Sequence, residues 1–386
     1  MRITFIATKL NLDKGGSNPD LYLKIKALTK LGHDILLITV FSEINKLPSD
    51  LSAQVKEEFI KPRSQFNIQR QTYKILKKYS AQTDVFHIEG HFLYGGGLYR
   101  LFGGRIPVVA FFNRELVSWP PFSDNFAIRL KQKLRFLIEK KIGGWLANHI
   151  DFFIFTSPKM EENYFTFGLK RGSSAAMPDF VDISETEHYA RQARPDKNAK
   201  EFKVFSAGRL VPEKRFDLLI RAVAKLKGRL PIKLIIGGDG PNLENLKSIA
   251  VDCGAKDMVN FTGWLGRVDL MRNFLECGAC VTTQWRPDIS SVQLLESMAL
   301  KTPCLVPADT AFSWIAGDGA ITFRQDDIND LAIQIARLAD DRELANKLGL
   351  AGQKRARELD VWHLTGKLED LLRRTVKTPD NKTLRA

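Results

Sequence analysis

Four charged side chains in the second half of the chain lie where they could bind a ligand that carries a diphosphate. Arg209 and Lys214 follow an apolar run at residues 204–207 that is typical of a strand. Asp288 and Glu296 are separated by seven residues and flank the predicted start of a helix. Cations can bind phosphates, and carboxylates can accept hydrogen bonds from sugar hydroxyls. The combination predicts a site for a sugar attached to a diphosphate, and therefore a transferase.

The elements that must position these residues are indicated by short apolar runs that alternate with helical patterns along the 386 residues. Such alternation predicts parallel sheets covered by helices. We expect strands at residues 3–7, 35–39, 85–88, 108–112 and 152–156, and again at 203–207, 233–236, 259–262, 279–283 and 304–307.

The polar stretch at residues 183–200 has no strong apolar period and predicts a linker. We therefore expect an α/β architecture of two facing Rossmann-like domains, residues 1–182 and 201–360, with a cleft between them. Ligands of such sheets bind outside the carboxyl ends of the strands. Residues 361–386 are expected to form a C-terminal helix and tail that pack back toward the N-terminal domain.

The net charge of +14 indicates an anionic partner, which can be nucleic acid, a membrane surface or a small anionic substrate. The sequence contains no zinc-finger spacing and no RNP-like aromatic motif, so we expect no nucleic-acid partner. No apolar stretch approaches the ~20 residues that span a bilayer, and the first apolar run is too short for a signal peptide. We expect a cytoplasmic protein.

Cys277 and Cys280 form a C-x-x-C pair, which raises the question of zinc or redox chemistry. No second pair or nearby histidine completes a tetrahedral site in the sequence. The pair follows a predicted helix, whereas reactive thiolates favour a helix N-terminus. We therefore expect small buried cysteines and no metal at this position.

Several ordered motifs carry a resemblance over nearly the whole chain. They are SAGRLVPEKRFDLLIRAV, LIIGGDGPNLENLKSIA, VNFTGWL and DISSVQLLESMALKTPCLV, with weaker matches at KGGSNPDLYLKIKALTKLGHDI, DVFHIEG and MPDFVD. In these motifs the chain resembles the retaining glycosyltransferases of the GT-B fold, the fourth family of sugar-nucleotide-dependent enzymes. The resemblance implies an acceptor-binding N-terminal domain and a C-terminal domain that binds the nucleotide sugar.

The resemblance also implies roles for single residues of the donor site. Arg209 and Lys214 would stabilise the leaving diphosphate, and Glu296 would accept hydrogen bonds from the ribose hydroxyls. Asp288 would contact the donor sugar, although most family members have glutamate at this position. Backbone N–H groups at the start of the following helix would add to the phosphate site, which involves Ser290, Ser291 and Val292. No D-x-D motif is placed to hold a metal, so we expect no cofactor and no metal.

The first domain departs from the family pattern at the position near the reacting face of the sugar. The family usually has histidine there, and this chain has Asn113, which cannot act as a general base. Three alternatives follow: Asn113 keeps only a binding role, His91 or Glu89 substitutes, or the site is impaired. Gly15 and Gly16 are expected to allow close approach of the backbone to the donor. His87 is expected in the core.

The resulting expectation is a hexosyltransferase that uses a UDP- or GDP-linked sugar and a surface-polysaccharide, lipopolysaccharide or lipid-linked glycan acceptor. Front-face attack is the more economical route to retention, because no side chain stands out as a nucleophile. The alternative is a catalytically impaired homologue that binds a glycan or a partner protein.

Two basic amphipathic segments suggest contact with an anionic membrane surface. The segment 61–78 contains six lysines and arginines and no acid. The segment 128–146 has an apolar stripe between basic flanks, and the stripe consists of Leu130, Leu134, Leu137, Ile138 and Trp145. The expectation is peripheral contact with the inner face of the cell membrane. The alternative is that both segments are ordinary domain helices with solvated faces.

Overall fold

The computed structural model describes residues 1–12, 18–40, 46–51, 53–58, 65–112, 126–196, 201–284 and 292–377. The chain forms two compact units. Unit 1 consists of Met1–Phe180 and Val361–Ala386, and unit 2 consists of Val181–Asp360.

Unit 1 contains a seven-stranded sheet whose strands all pair in parallel, in the order β3-β2-β1-β4-β5-β6-β7. The strands are β1 (Arg2–Ala7), β2 (Asp34–Thr39), β3 (Gln54–Glu57), β4 (Val85–Glu89), β5 (Val108–Phe112), β6 (Phe152–Phe155) and β7 (Ser174–Ala176). The helices of this part are α1 (Asn18–Lys30), α2 (Gln65–Tyr79), α3 (Leu93–Leu101), α4 (Phe126–Ile138), α5 (Gly144–Ala147) and α6 (Pro158–Phe167).

Unit 2 contains a six-stranded parallel sheet in the order β10-β9-β8-β11-β12-β13. Its strands are β8 (Phe202–Ala207), β9 (Ile232–Gly237), β10 (Val259–Gly263), β11 (Ala279–Val281), β12 (Cys304–Pro307) and β13 (Ala320–Phe323). Its helices are α7 (Ile183–Gln192), α8 (Phe216–Ala224), α9 (Leu243–Asp252), α10 (Arg267–Glu276), α11 (Val292–Ala299), α12 (Ala311–Ala316), α13 (Ile328–Asp340) and α14 (Arg342–Glu358).

Each sheet has one point where the direction of strand addition reverses, between β1 and β4 in unit 1 and between β8 and β11 in unit 2. Ligands of open parallel sheets bind at the carboxyl ends of the strands at such a point. The buried faces of the strands form a separate core in each unit. The core of unit 2 supports the segments that follow β8 and β11.

All ten strands predicted from the apolar runs are present. The three strands that the prediction missed, β3, β7 and β13, each lie at the edge of a sheet. An edge strand covers less of the core, so its sequence carries a weaker apolar signal. The exposed side chains of β3 and the small residues Ser174–Ala176 of β7 illustrate this.

The expected linker at residues 183–200 is a helix over its first part, because α7 occupies Ile183–Gln192 and belongs to unit 2. Asp182 is its N-cap and accepts a hydrogen bond from the backbone N–H of Glu185 at 3.0 Å. Only Ile183 and Thr186 of this helix are buried. Because the apolar face of α7 is so small, apolar residues do not recur at a clear helical spacing in this segment. Its polar composition therefore indicated a linker.

The last helix, α15 (Val361–Lys377), packs against α1 within unit 1. The ammonium of Lys30 lies 5.0 Å from the ring centroid of Trp362, and His33 Nε2 lies 3.1 Å from Glu369 Oε1. The chain therefore passes from unit 1 into unit 2 and re-enters unit 1 with α15. None of the helices in the described part of the chain is long and apolar enough to cross a bilayer.

Candidate active site

The loop after β8 is fixed to the loop after β9 by backbone contacts. Gly208 N–H donates to the Gly237 carbonyl and Leu210 N–H donates to the Asp239 carbonyl, each at 2.9 Å. Gly238 has φ 122°, and a Cβ atom there would lie 2.0 Å from the Gly208 oxygen. Only glycine permits both this conformation and this approach. The GGDG motif thus holds the backbone on either side of Arg209.

Lys214 is attached to the carboxyl end of β11 by two hydrogen bonds. Its ammonium donates to Gln284 Oε1 at 2.7 Å, and its carbonyl oxygen accepts from Thr283 Oγ1 at 2.8 Å. β8 and β11 are the two strands between which the strand order of unit 2 reverses. The ammonium of Lys214 is therefore held near the position where an α/β sheet binds an anionic ligand.

Arg209 lies on the same loop, and its side chain is exposed. Within the described residues its guanidinium makes no hydrogen bond or ion pair. A guanidinium offers five N–H donors in a fixed fork, which suits an oxygen-rich anion. Arg209 and Lys214 together place two positive charges on one segment, one solvated and one held by a polar partner.

Glu296 is buried on α11, with 4% of its surface exposed. Its Oε1 atom accepts a hydrogen bond from Arg267 Nη1 at 2.6 Å, and the Arg267 guanidinium lies 5.3 Å from the ring centroid of Tyr189. Burial raises the pKa of Glu296, and the nearby charge of Glu185 raises it further, whereas Arg267 lowers it. The carboxylate thus depends on Arg267 for its only described cationic partner.

The remaining predicted site residues divide into two groups. Val292 is the first residue of α11 and is half-buried. The others lie outside the described residues, namely Gly15, Gly16, Asn113, Asp288, Ser290 and Ser291. Arg209, Lys214, Val292 and Glu296 all lie in unit 2.

The histidines after β4 have different environments. His87 is 3% exposed and lies between the rings of Phe5 and Phe111, with centroid distances of 4.6 and 5.9 Å. Its Nε2 atom has no partner among the described residues, and burial lowers its pKa to about 3. This confirms the prediction of a core residue. His91 is half-buried in a short turn after β4, next to Glu89, whose Oε2 accepts from the backbone N–H of Thr8 at 3.1 Å.

The C-x-x-C pair is buried, and all four cysteines are free thiols. Burial raises the pKa of the Cys277 thiol, so it stays protonated at neutral pH. Cys280 pairs in register with Cys304 on the adjacent strand. Across the residues that the structure describes, no group of three or more His, Cys, Asp or Glu side chains could hold a metal ion.

The sequence analysis did not identify two residues of this site, Arg267 and Gln284. Gln284 is 1% exposed, and its Nε2 atom has no partner within the described ranges. Each residue follows a strand, β10 for Arg267 and β11 for Gln284. For Gln284 the available signal was a polar residue shortly after the buried strand β11. β10 is not buried, so Arg267 had no such signal, and neither residue lies in a motif that identifies its partner.

Comparison with known proteins gives the family. The family model described as Glycosyl transferases group 1 matches residues 190–355, and the one described as Glycosyltransferase Family 4 matches residues 15–185. The lipopolysaccharide core biosynthesis glycosyltransferase LpsE of Rhizobium meliloti is 30% identical over 247 residues, which cover 62% of this chain and 69% of LpsE. The chain belongs to the group 1 glycosyltransferases.

Other known proteins match over shorter or more divergent stretches. The GDP-mannose-dependent alpha-(1-6)-phosphatidylinositol monomannoside mannosyltransferase of Mycobacterium tuberculosis is 29% identical over 180 residues, 44% of this chain and 47% of that protein. The crystal structure of Anabaena Alr3699/HepE in complex with UDP superposes with a TM-score of 0.76 at 17% identity, over 97% of this chain and all of that one.

These likenesses and the two parallel-sheet units give this group 1 glycosyltransferase the GT-B fold. The predicted fold class is therefore confirmed, and so is the prediction of a nucleotide-sugar-dependent glycosyltransferase.

Proposed function

We propose that this group 1 glycosyltransferase transfers a hexose from a UDP- or GDP-linked donor with retention of anomeric configuration and without a metal ion. The observation that carries the proposal is the pair of cations after β8. Lys214 is held at the carboxyl end of β11 by Gln284, and the exposed Arg209 lies on the same loop. This arrangement supports a diphosphate at the point where the strand order of unit 2 reverses.

The chemistry of the leaving group supports metal independence. As the bond between the sugar and the diphosphate breaks, negative charge develops on the phosphate oxygens. Lys214 can stabilise that charge because its position is set before the reaction begins, and Arg209 adds N–H donors from the same loop. In the proposal, the backbone N–H groups at Ser290, Ser291 and Val292 add the positive end of α11. Two cations and a helix N-terminus thus supply the electrostatic role of a divalent ion.

The proposed retention follows from the family resemblance and from the side chains available for acid–base chemistry. Asn113 keeps a binding role toward the donor sugar, because an amide cannot act as a general base. His91 and Asp288 are the candidates for the remaining catalytic contacts, and Gly15 and Gly16 for the close approach to the donor. Front-face attack by the acceptor hydroxyl needs no enzyme nucleophile, and we favour it for that reason.

The donor and acceptor classes are supported by what the similar proteins bind or act on. HepE has been crystallised with UDP, and the mycobacterial relative is GDP-mannose-dependent. LpsE is named for lipopolysaccharide core biosynthesis, and the mycobacterial enzyme for a phosphatidylinositol mannoside. We therefore propose a lipopolysaccharide, surface-polysaccharide or lipid-linked glycan acceptor, with the enzyme in the cytoplasm.

Such acceptors favour a position at a membrane, and unit 1 has a surface that suits one. Six large apolar side chains along α4, α5 and the turn between them are between 45% and 59% exposed, namely Leu130, Leu134, Leu137, Ile138, Ile142 and Trp145. Four exposed lysines flank them: Lys131, Lys133, Lys140 and Lys141. We call these ten residues the α4–α5 stripe. Exposed apolar and cationic side chains together support peripheral binding to an anionic bilayer.

The test of the proposed reaction is to incubate the purified chain with UDP-glucose, UDP-galactose and GDP-mannose in EDTA and to follow the released or transferred sugar by NMR. These donors carry α-linked sugars, so retention predicts that the α-anomer forms first. The β-anomer would contradict retention. Activity that disappears in EDTA and returns with Mg²⁺ would contradict metal independence. Absence of turnover with all three donors, even at high protein concentration, would contradict the proposed donor classes.

A further inference from the structure

We propose that Arg267 is a positioning residue for the nucleotide, which holds Glu296 ionised so that its second carboxylate oxygen can accept hydrogen bonds from the ribose hydroxyls. The inference rests on the proposed function, because the ribose contact of Glu296 belongs to that proposal. The inference adds Arg267, which has no role in the proposed chemistry and which acts through the side chain of Glu296.

The geometry leaves half of the carboxylate available. Arg267 Nη1 donates to Glu296 Oε1 at 2.6 Å, and within the described residues no donor contacts Oε2. The Glu296 side chain is 5% exposed and that of Arg267 39% exposed, so the pair lies at the boundary between the core and the solvent. The Tyr189 ring, 5.3 Å from the guanidinium, limits the positions that Arg267 can adopt.

A buried carboxylate without a cation takes up a proton, because the charged form loses its hydration. A protonated Glu296 would carry one O–H donor and could no longer accept equally from two adjacent hydroxyls. Arg267 opposes this protonation by a charge-assisted hydrogen bond. Removing one partner of such a pair leaves an uncompensated buried charge, which strongly favours the neutral acid.

The other groups around Glu296 do not replace Arg267. α7 packs on α11 and presents Glu185, whose negative charge opposes ionisation of Glu296. β12 presents Cys304, whose thiol contacts Ser297 at 3.2 Å. Among the described residues, α12 and α14 also pack on α11 and present no charged group that acts on Glu296. Within this part of the chain, the ionised state of Glu296 therefore depends on one cation.

The test is calorimetric titration of UDP and GDP between pH 7 and 9, above the titration of a terminal phosphate near pH ~6. We expect the wild-type affinity to be independent of pH. Arg267→Met should weaken binding at least tenfold at pH 7 and regain affinity as the pH rises, because Glu296 then ionises. Arg267→Lys should retain most of the affinity, and Glu296→Gln should be weak at every pH. Arg272→Met is the matched control, since Arg272 lies on the same helix and pairs with the exposed Asp269.

A double-mutant cycle separates positioning from direct contact. If Arg267 acts only through Glu296, adding Arg267→Met to Glu296→Gln should not change the affinity further. This double variant buries no charge at the pair. It can therefore be compared with Glu296→Gln even if Arg267→Met alone fails to fold. An additional loss in the double variant, a pH-independent loss in Arg267→Met, or unchanged binding would each overturn the inference. A wild-type chain that binds neither UDP nor GDP would instead overturn the proposed donor.

Discussion

Two groups of positive charges, one in each unit, are arranged in different ways. In unit 2, Lys214 is held by Gln284 and Arg267 is held by Glu296. In unit 1, the four lysines of the α4–α5 stripe are exposed, and no ion pair joins them to another described residue. Cations with fixed partners favour one ligand geometry, whereas solvated cations beside apolar side chains favour an extended anionic surface. One basic sequence can therefore serve two kinds of partner.

A second difference lies within unit 1, between its two basic segments. The apolar face of α2 is buried, since Ile75, Leu76 and Tyr79 belong to the core. Lys78 on the opposite face forms an ion pair with Glu58. The burial of these side chains fits the alternative of an ordinary domain helix for α2, although Phe66 near its start is 78% exposed. The exposed side chains of the α4–α5 stripe do not fit that alternative, although both segments look alike in sequence.

The largest effect is expected at the fixed cation of unit 2. Lys214→Met should lower kcat by about 10²–10³, because a preorganised charge at the developing diphosphate is removed. Its stability cost should stay near ~1–3 kcal/mol, the penalty for leaving Gln284 Oε1 without a donor. Steady-state kinetics measure the loss of kcat, and thermal unfolding measures the loss of stability separately. Lys247→Met is the control, since Lys247 is exposed on α9 and pairs with Glu244. Equal activity of both variants would contradict the role of Lys214 as a preorganised charge at the diphosphate.

A smaller effect, about tenfold, is expected in membrane binding. The double substitution Leu134→Glu and Ile142→Glu should weaken cosedimentation with vesicles that contain anionic phospholipid, because it removes apolar contact and reverses the charge pattern. Folding should be unaffected, since both side chains are exposed. The matched variant on α2, with glutamate at Lys74, Lys77 and Lys78, should lose less binding because its apolar face is buried.

Two outcomes of that experiment would contradict the assignment of the α4–α5 stripe. Binding that is lost with the α2 variant and retained with the stripe variant would place the membrane surface on α2 instead. A change in oligomeric state without a change in vesicle binding would identify the stripe as an interface between two copies of the chain. Vesicles of neutral lipid are the control for the charge requirement.

The sequence predicted the central strands well, because strands buried on both faces carry continuous apolar runs. It missed the edge strands β3, β7 and β13 and the helix α7, where little apolar surface is buried and no period develops. The residues of the candidate site differ in how clearly the sequence points to them. Arg209, Lys214 and Glu296 lie in motifs, whereas Gln284 and Arg267 gain their roles only from neighbours far away in the sequence. Such pairings depend on strand order, which a residue pattern does not contain.

The sequence also could not show that the apolar side chains of α2 and α4 differ in exposure. Both segments combine basic residues with apolar residues at helical spacing, so both predict an amphipathic helix. Whether the apolar face is covered depends on the neighbours that the fold supplies. For α2 those neighbours include α3. The sequence thus predicted the helices and left open which one presents its apolar face to a partner.

The most direct test of the central claim is thermal unfolding with UDP, GDP and ADP in EDTA, for the wild type and for Glu296→Ala. A nucleotide at ~100 times its dissociation constant should stabilise the folded state by about 2.7 kcal/mol. The account predicts that UDP or GDP raises the wild-type midpoint and that Glu296→Ala does not respond. An unchanged midpoint with all three nucleotides, or an equal shift in the variant, would contradict a donor site built on Lys214 and Glu296.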